Sequence, residues 1–276
     1  MTPNILKNNS FEVKFFFVHG SFLGVPNYFW VCVIARYCPL CTAQLHETSL
    51  PSNAMKLADL SYSIQDYLKI IFLLSESDER LSSAPTSAIA GRLEINPASV
   101  TGMLKKLASL HLINYEKHHG ARLTFTGRKL AVELVRRHRL LETYLTVALG
   151  YSWDEVHDEA EKLEHFISDT LVDRMWTRLG NPQYDPHGDP IPAKDGSIPP
   201  VATNRLYNAA VGSSPTVRRV NSDIPDILSA LSRHGITIGT VVPVTGRDPR
   251  KENVTVSIRG KTIRLDRALA DNIFID

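Results

Sequence analysis

The run His157-Asp-Glu-Ala-Glu161-Lys-Leu-Glu164-His165 holds imidazoles and carboxylates at helical spacing. At 100° per residue, His157, Glu161, Glu164 and His165 fall within an arc of about 100°, with Leu163, Phe166 and Ile167 on the other side. Nitrogen and oxygen donors converging on one face match the coordination set of a borderline transition metal. Upstream, His138 and Glu142 repeat the pairing at i,i+4. A single His/Glu pair is ordinarily an exposed ion pair, but six such residues on two neighbouring helices favour a metal centre. Hydrolytic metal enzymes also use His/Glu clusters, yet the sequence has no HExxH, GxSxG, P-loop or strand-borne GxGxxG. The residues therefore point away from an enzyme.

Helices must carry these ligands, and the apolar spacing supplies them. Ile64, Tyr67, Leu68, Ile71, Phe72 and Leu74 predict a helix over 63–74, capped by Ser61 or Ser63. After a polar loop over 76–85, a short helix is expected over 86–93. Asn96 is a good cap and Pro97 suits a first helical position, so a second helix should run from Pro97 to about Leu110. Residues 112–126 read as two short strands turning at Gly120. Helix, turn, helix and hairpin make a winged helix-turn-helix.

A long helix follows over 128–149, ended by Gly150 as a left-handed cap. Another, starting at Trp153 or Asp154, is expected to continue unbroken to about Leu179. Their apolar stripes suit either an internal core or a dimer seam. Residues 181–214 are rich in Pro, Gly, Asp and Asn. Beyond them the period changes: 216–220, 239–244, 253–258 and 261–265 alternate like strands, with a helix over 223–235, which fits a small SH3-like β-barrel. The expected fold class is mainly α with small β. Its parts are a leader (1–54), a winged helix-turn-helix (55–127), a metal-binding and dimerisation domain (128–192), a linker (193–214) and an SH3-like domain (215–276).

Composition agrees with a soluble chain: 43% of the 276 residues are hydrophobic and 22% charged. The net charge of +2 is uninformative, but ten Arg/Lys face three acids between Thr86 and Arg139. That excess suits a polyanion such as DNA, or simply a solvated basic face. Cys32, Cys38 and Cys41 all lie in the leader, so a disulfide-stapled fold is not expected and a reducing cytoplasm fits. Cys38-Pro-Leu-Cys41 has no second pair to complete a zinc ribbon. No apolar run in the leader approaches the roughly 20 residues of a membrane span. Met55 would make a sensible start, and residues 1–54 are expected to be an over-extended start or a disordered appendage.

The stretches Arg137-His-Arg-Leu-Leu-Glu142, Val156 to His165 and Gly188-Asp-Pro-Ile-Pro192 resemble the diphtheria toxin repressor, iron-dependent regulator and manganese transport regulator family, and the likeness covers about Leu60–Asp276. The resemblance implies a homodimeric, metal-dependent repressor of metal-uptake genes that binds a palindromic operator in double-stranded DNA. It implies a primary site of Asp66, Glu161, Glu164 and His165. It also implies an ancillary site of His138, Glu142 and His157, completed from the C-terminal domain, where Asp223 and Asp226 are the candidates. Iron-responsive members have Met in place of Asp66 and Cys in place of Glu161. Oxygen donors at both places favour Mn(II), with Fe(II) as the alternative. Short manganese regulators carry a further acid one turn after the aspartate, where this chain has Lys69. The resemblance opens the recognition helix at Asn96, Pro97, Ala98 and Ser99, with Ser99, Thr101 and Gly102 toward base edges and Ala98 near a thymine methyl. Lys105, Lys106 and Arg122 suit phosphates, although both lysines also fit a plain solvent face. Outside this class, the rival is a metal-buffering or enzymatic dimer that does not bind DNA.

Overall fold

The computed structural model describes residues 55–77, 83–221 and 225–276. The leader with its three cysteines, and Asp223, lie outside the described residues. The N-terminal unit holds α1 (Tyr62–Ser77), α2 (Thr86–Leu93) and α3 (Pro97–Ser109), then the antiparallel hairpin β1 (Ile113–Glu116) and β2 (Gly120–Leu123). Ile64, Leu68, Ile71, Ile89, Leu104 and Leu107 are buried together in one core. Each such side chain contributes roughly 2 kcal/mol of burial. Asn96 caps α3 by accepting from the Ala98 amide at 2.8 Å, with Pro97 at the first position. This core fixes the pose of α3 and also holds one face of α4 (Phe125–Leu149).

Thr124 starts α4 by accepting from the Gly127 amide, and Gly150 ends it at φ 76°. Its interior turns bury polar side chains among the leucines: Arg136, Arg137, His138 and Glu142. Buried charges of this kind need partners, and α5 (Val156–Leu163) and α6 (Asp169–Arg178) bring them. The expected single helix is thus two, broken at 164–168. In an unbroken helix the Leu171 amide would donate to the Ile167 carbonyl. Here Ser168 Oγ accepts from that amide at 3.3 Å, and Arg137 donates to the Ile167 oxygen at 3.0 Å. Arg137 also reaches Asp169 at 2.6 Å and Glu133 at 2.7 Å. Ser168 within the break and Arg137 outside it therefore satisfy the groups that the break leaves open.

The apolar stripes, read as internal core or dimer seam, are mostly internal. Leu130, Leu134, Leu140, Leu141, Leu145, Val156 and Met175 are buried within the chain, whereas Val147, Leu149, Phe166 and Leu171 are exposed.

In the C-terminal part, β3 (Asn204–Arg205) and β4 (Val217–Val220) pair on either side of β8 (Ile273–Ile275). The other sheet is a meander of β5 (Val244–Asp248), β6 (Asn253–Ile258) and β7 (Lys261–Asp266). Helix α7 (Pro225–His234) and the short α8 (Arg267–Ala270) complete one shared core. The sheets do not close into a barrel: each has three strands. The strand expected over 239–244 starts only at Val244, because Gly239 and Val241 make isolated contacts with Val217 and Thr216 instead. Gly188 packs against this part, since a Cβ there would meet the Arg218 carbonyl oxygen at 2.0 Å. No helix among the described residues is long and apolar enough to cross a membrane.

Candidate metal centre

Donor atoms of Asp66, Glu164 and His165 lie within 4.8 Å of one another. Asp66 comes from α1, whereas Glu164 and His165 come from the break after α5. Asp66 Oδ1 is buried, stands 3.1 Å from His165 Nε2 and has no hydrogen-bond partner. A buried carboxylate oxygen without a donor is costly, and a cation bound there would remove the cost. Oxygen and imidazole donors suit a divalent first-row ion, so the residues fit the group that the sequence implies.

Glu161 does not join that trio. Its donor atom converges instead with His138 and Glu164. The reason is Lys69, whose ammonium donates to Glu161 Oε1 at 2.8 Å and to Glu164 Oε1 at 2.7 Å. Lys69 is 5% exposed and Glu164 fully buried. Burial works against the Lys69 charge, but Glu164 and Glu161 outweigh it and raise its pKa. Burial would likewise raise Glu161, yet Lys69 and then His138 pull it below the usual carboxylate range.

A second group unites His138, Glu142 and His157. His138 Nε2 lies 3.0 Å from Glu142 Oε1, and His157 Nδ1 lies 3.1 Å from the same oxygen. The other His138 nitrogen is 2.6 Å from Glu164 Oε2, so one carboxylate touches both clusters through separate oxygens. Burial opposes the charge on His138, but Glu142 overcomes it and raises the imidazole to about 10. Burial would also raise Glu142, while His138 holds it well below its ordinary value.

A third group, unread in the sequence, joins Glu142 to Asp185 and His187. All three are buried. His187 Nε2 meets the Trp153 carbonyl at 2.6 Å, leaving Nδ1 without a hydrogen bond, 3.6 Å from Glu142 Oε2. Burial, then the charges of Asp189 and Glu142, push Asp185 up to about 8. For His187 burial is outweighed by the neighbouring Glu142 carboxylate, and its pKa rises to about 9. The only signal was Asp185-Pro-His187 just before the Gly188-Asp-Pro-Ile-Pro192 stretch. Asp226 is exposed at the start of α7 and joins none of these groups.

The residues expected to meet DNA form a separate surface. Asn96, Pro97, Ala98, Ser99, Gly102, Lys105 and Lys106 are exposed on α3, and Arg122 is exposed on β2. Thr101 is half-buried and donates its hydroxyl to the Pro97 carbonyl at 3.0 Å. Between α3, the start of α2 and the hairpin lies an open cleft of about 620 Å³, lined by Thr86, Ser87, Thr101, Lys105, Lys117 and His118. Exposed lysines beside a helix start and a hairpin are chemically suited to a phosphate backbone.

Residues 59–121 match the N-terminal DNA-binding domain of iron-dependent repressors, and residues 124–193 match their metal-binding and dimerisation domain. Residues 204–276 match the FeoA domain. The chain is 31% identical over 231 residues to the diphtheria toxin repressor of Corynebacterium diphtheriae, covering 80% of this chain and 99% of that one. It is 40% identical over 113 residues to the HTH-type transcriptional regulator MntR of Oceanobacillus iheyensis, covering 41% of this chain and 74% of the relative. A solved manganese-dependent transcriptional repressor in complex with manganese superposes with a TM-score of 0.69 at 38% identity, over 77% of this chain and 98% of that one.

Proposed function

The chain belongs to the iron-dependent repressor family of metal-dependent transcriptional repressors, and from that premise we propose that it is a homodimer that binds palindromic operator DNA when loaded with Mn(II). One observation carries the metal reading: the buried Asp66 Oδ1, without a hydrogen bond, facing Glu164 and His165. We assign the primary centre to these three residues, with Glu161 as a fourth ligand once it leaves Lys69. His138, Glu142 and His157 form the ancillary centre, next to Asp185 and His187.

When bound, a divalent ion supplies positive charge and directional bonds at the junction of α1 with the break after α5. The chain's own residues prepare that junction. Lys69 donates to both Glu161 and Glu164 and so fixes where the two carboxylates stand. Asp66 stands on α1, whose buried face shares a core with α3, so constraint at Asp66 reaches the recognition helix through rigid packing. Ser99, Thr101 and Gly102 are assigned to base edges, and Lys105, Lys106 and Arg122 to phosphates. Exposed Phe166 and Leu171 offer apolar area for the partner protomer.

Mn(II) over Fe(II) is supported by the donor set, since carboxylates stand at Asp66 and Glu161 where thioether and thiolate would favour softer ions. Iron keeps a place as the second reading because the matched family models are those of iron-dependent repressors and an iron-dependent repressor aligns over 79% of this chain. Titrating operator DNA binding against a panel of divalent ions separates the two. Equal binding in chelator and in excess Mn(II) would defeat both.

A further inference from the structure

Gln65 precedes Asp66 on α1 and is buried at 2% exposure. Its amide nitrogen donates to the Leu57 carbonyl at 2.9 Å and the Leu60 carbonyl at 3.1 Å. A carboxamide nitrogen has two hydrogens, and both are used. Carbonyls only accept, so the amide cannot be turned over. Its oxygen is then the atom that faces His165 Nδ1 at 2.9 Å, and it can only accept. In a neutral ring, Nδ1 must therefore carry the proton and Nε2 the lone pair. Nε2 is the nitrogen 3.1 Å from Asp66 Oδ1 and 3.7 Å from Glu164 Oε1. Tyr62 stacks on the same ring, with centroids 5.0 Å apart and planes 26° from parallel.

We infer that Gln65 is the positioning residue of the metal centre, fixing the tautomer and plane of His165 so that a bare Nε2 faces the ion. The inference rests on reading Asp66, Glu164 and His165 as that centre. It also gives the Leu57–Asp59 turn a role: through its carbonyl, Leu57 orients the amide that orients the ligand. Partners of this kind beyond the ligands typically change metal affinity 10- to 100-fold when removed.

The test uses the full chain. Nitrogen-detected NMR of the metal-free protein at about pH 8, above the ordinary histidine range, should find His165 protonated at Nδ1. A bare Nδ1 in the unaltered protein overturns the inference without any variant. Gln65→Leu should weaken Mn(II) binding at this centre about 10- to 100-fold, followed by electron paramagnetic resonance of the free ion. It should release the His165 tautomer and leave the His138 and His157 signals unchanged. Gln65→Glu keeps an acceptor toward Nδ1, so it should keep the tautomer and recover most of the affinity. Unaltered affinity in Gln65→Leu, or equal losses in both variants, counts against the inference. If Gln65→Leu does not fold, the unaltered protein and Gln65→Glu still decide. Failure of the parent reading looks different: the unaltered chain would show no Mn(II) binding that Asp66→Ala removes.

Discussion

Lys69→Met is expected to destabilise the metal-free protein and to spare the Mn(II)-loaded one. Methionine keeps most of the aliphatic stem but removes a cation bonded to two carboxylates at 2.7 and 2.8 Å. Breaking a buried pair by removing one partner costs about 3–5 kcal/mol, because the other charge stays buried. Glu164 is fully buried, but the Glu161 side chain is 39% exposed and regains water, and His138 still reaches Glu164. The low end, about 3 kcal/mol, is therefore expected. For a chain of this size that lowers the midpoint by roughly 6–12 °C. A divalent ion would restore the missing charge, so the loss under saturating Mn(II) should shrink to about 1 kcal/mol, the ordinary effect of a point change. Linkage converts the difference of about 2 kcal/mol into Mn(II) binding roughly 30-fold tighter in the variant. Paired denaturant melts, in chelator and in Mn(II), read both numbers. Equal losses in the two conditions would refute the reasoning, because Lys69 would then be a structural residue indifferent to the centre.

The remaining predictions test other parts of the arrangement. Asp66→Ala should weaken Mn(II)-dependent DNA binding in a gel shift more than His138→Ala; the reverse order would exchange the primary and ancillary roles. Glu161→Cys should shift the Mn(II)/Fe(II) activation ratio toward iron, and an unchanged ratio would remove Glu161 from the ligand set. Ser168→Ala should cost about 1 kcal/mol of stability, the usual worth of a helix cap, measured by chemical denaturation. The His138 imidazole is raised from 6.5 to about 10 in the fold, so its contribution to metal-free stability is complete below pH 6.5 and is lost as pH rises through about 10. His138→Gln should therefore lie further below the unaltered protein at pH 6 than at pH 10, which melts at those two conditions would check.

Where local chemistry decides structure, the sequence was readable. Asn96-Pro97 starts a helix because the side-chain oxygen and the missing amide both belong at that position. Gly150 ends one because the left-handed backbone costs it least. The break at 164–168 was hidden because Arg137, far upstream in sequence, satisfies Ile167. Only Ser168 left a local trace. Lys69 read as a mere exception to an acidic pattern, since burial of an ammonium depends on which carboxylates arrive from another helix. Asp185 and His187 sit in a stretch without periodicity, and only the fold brings them to Glu142. The strands over 204–205 and 273–275 are too short to carry an alternation, and they exist because each pairs with a distant segment.

The interrupted helix separates two tasks that a continuous one would merge. Ser168, Arg137, Asp169 and Glu133 hold the backbone corner, and no ligand is spent on keeping it bent. The donors at 66 and 161 can be exchanged while the corner stays intact. Under the proposed assignment, substitution at 66 and 161 would change the choice of ion without removing any bond that holds the corner.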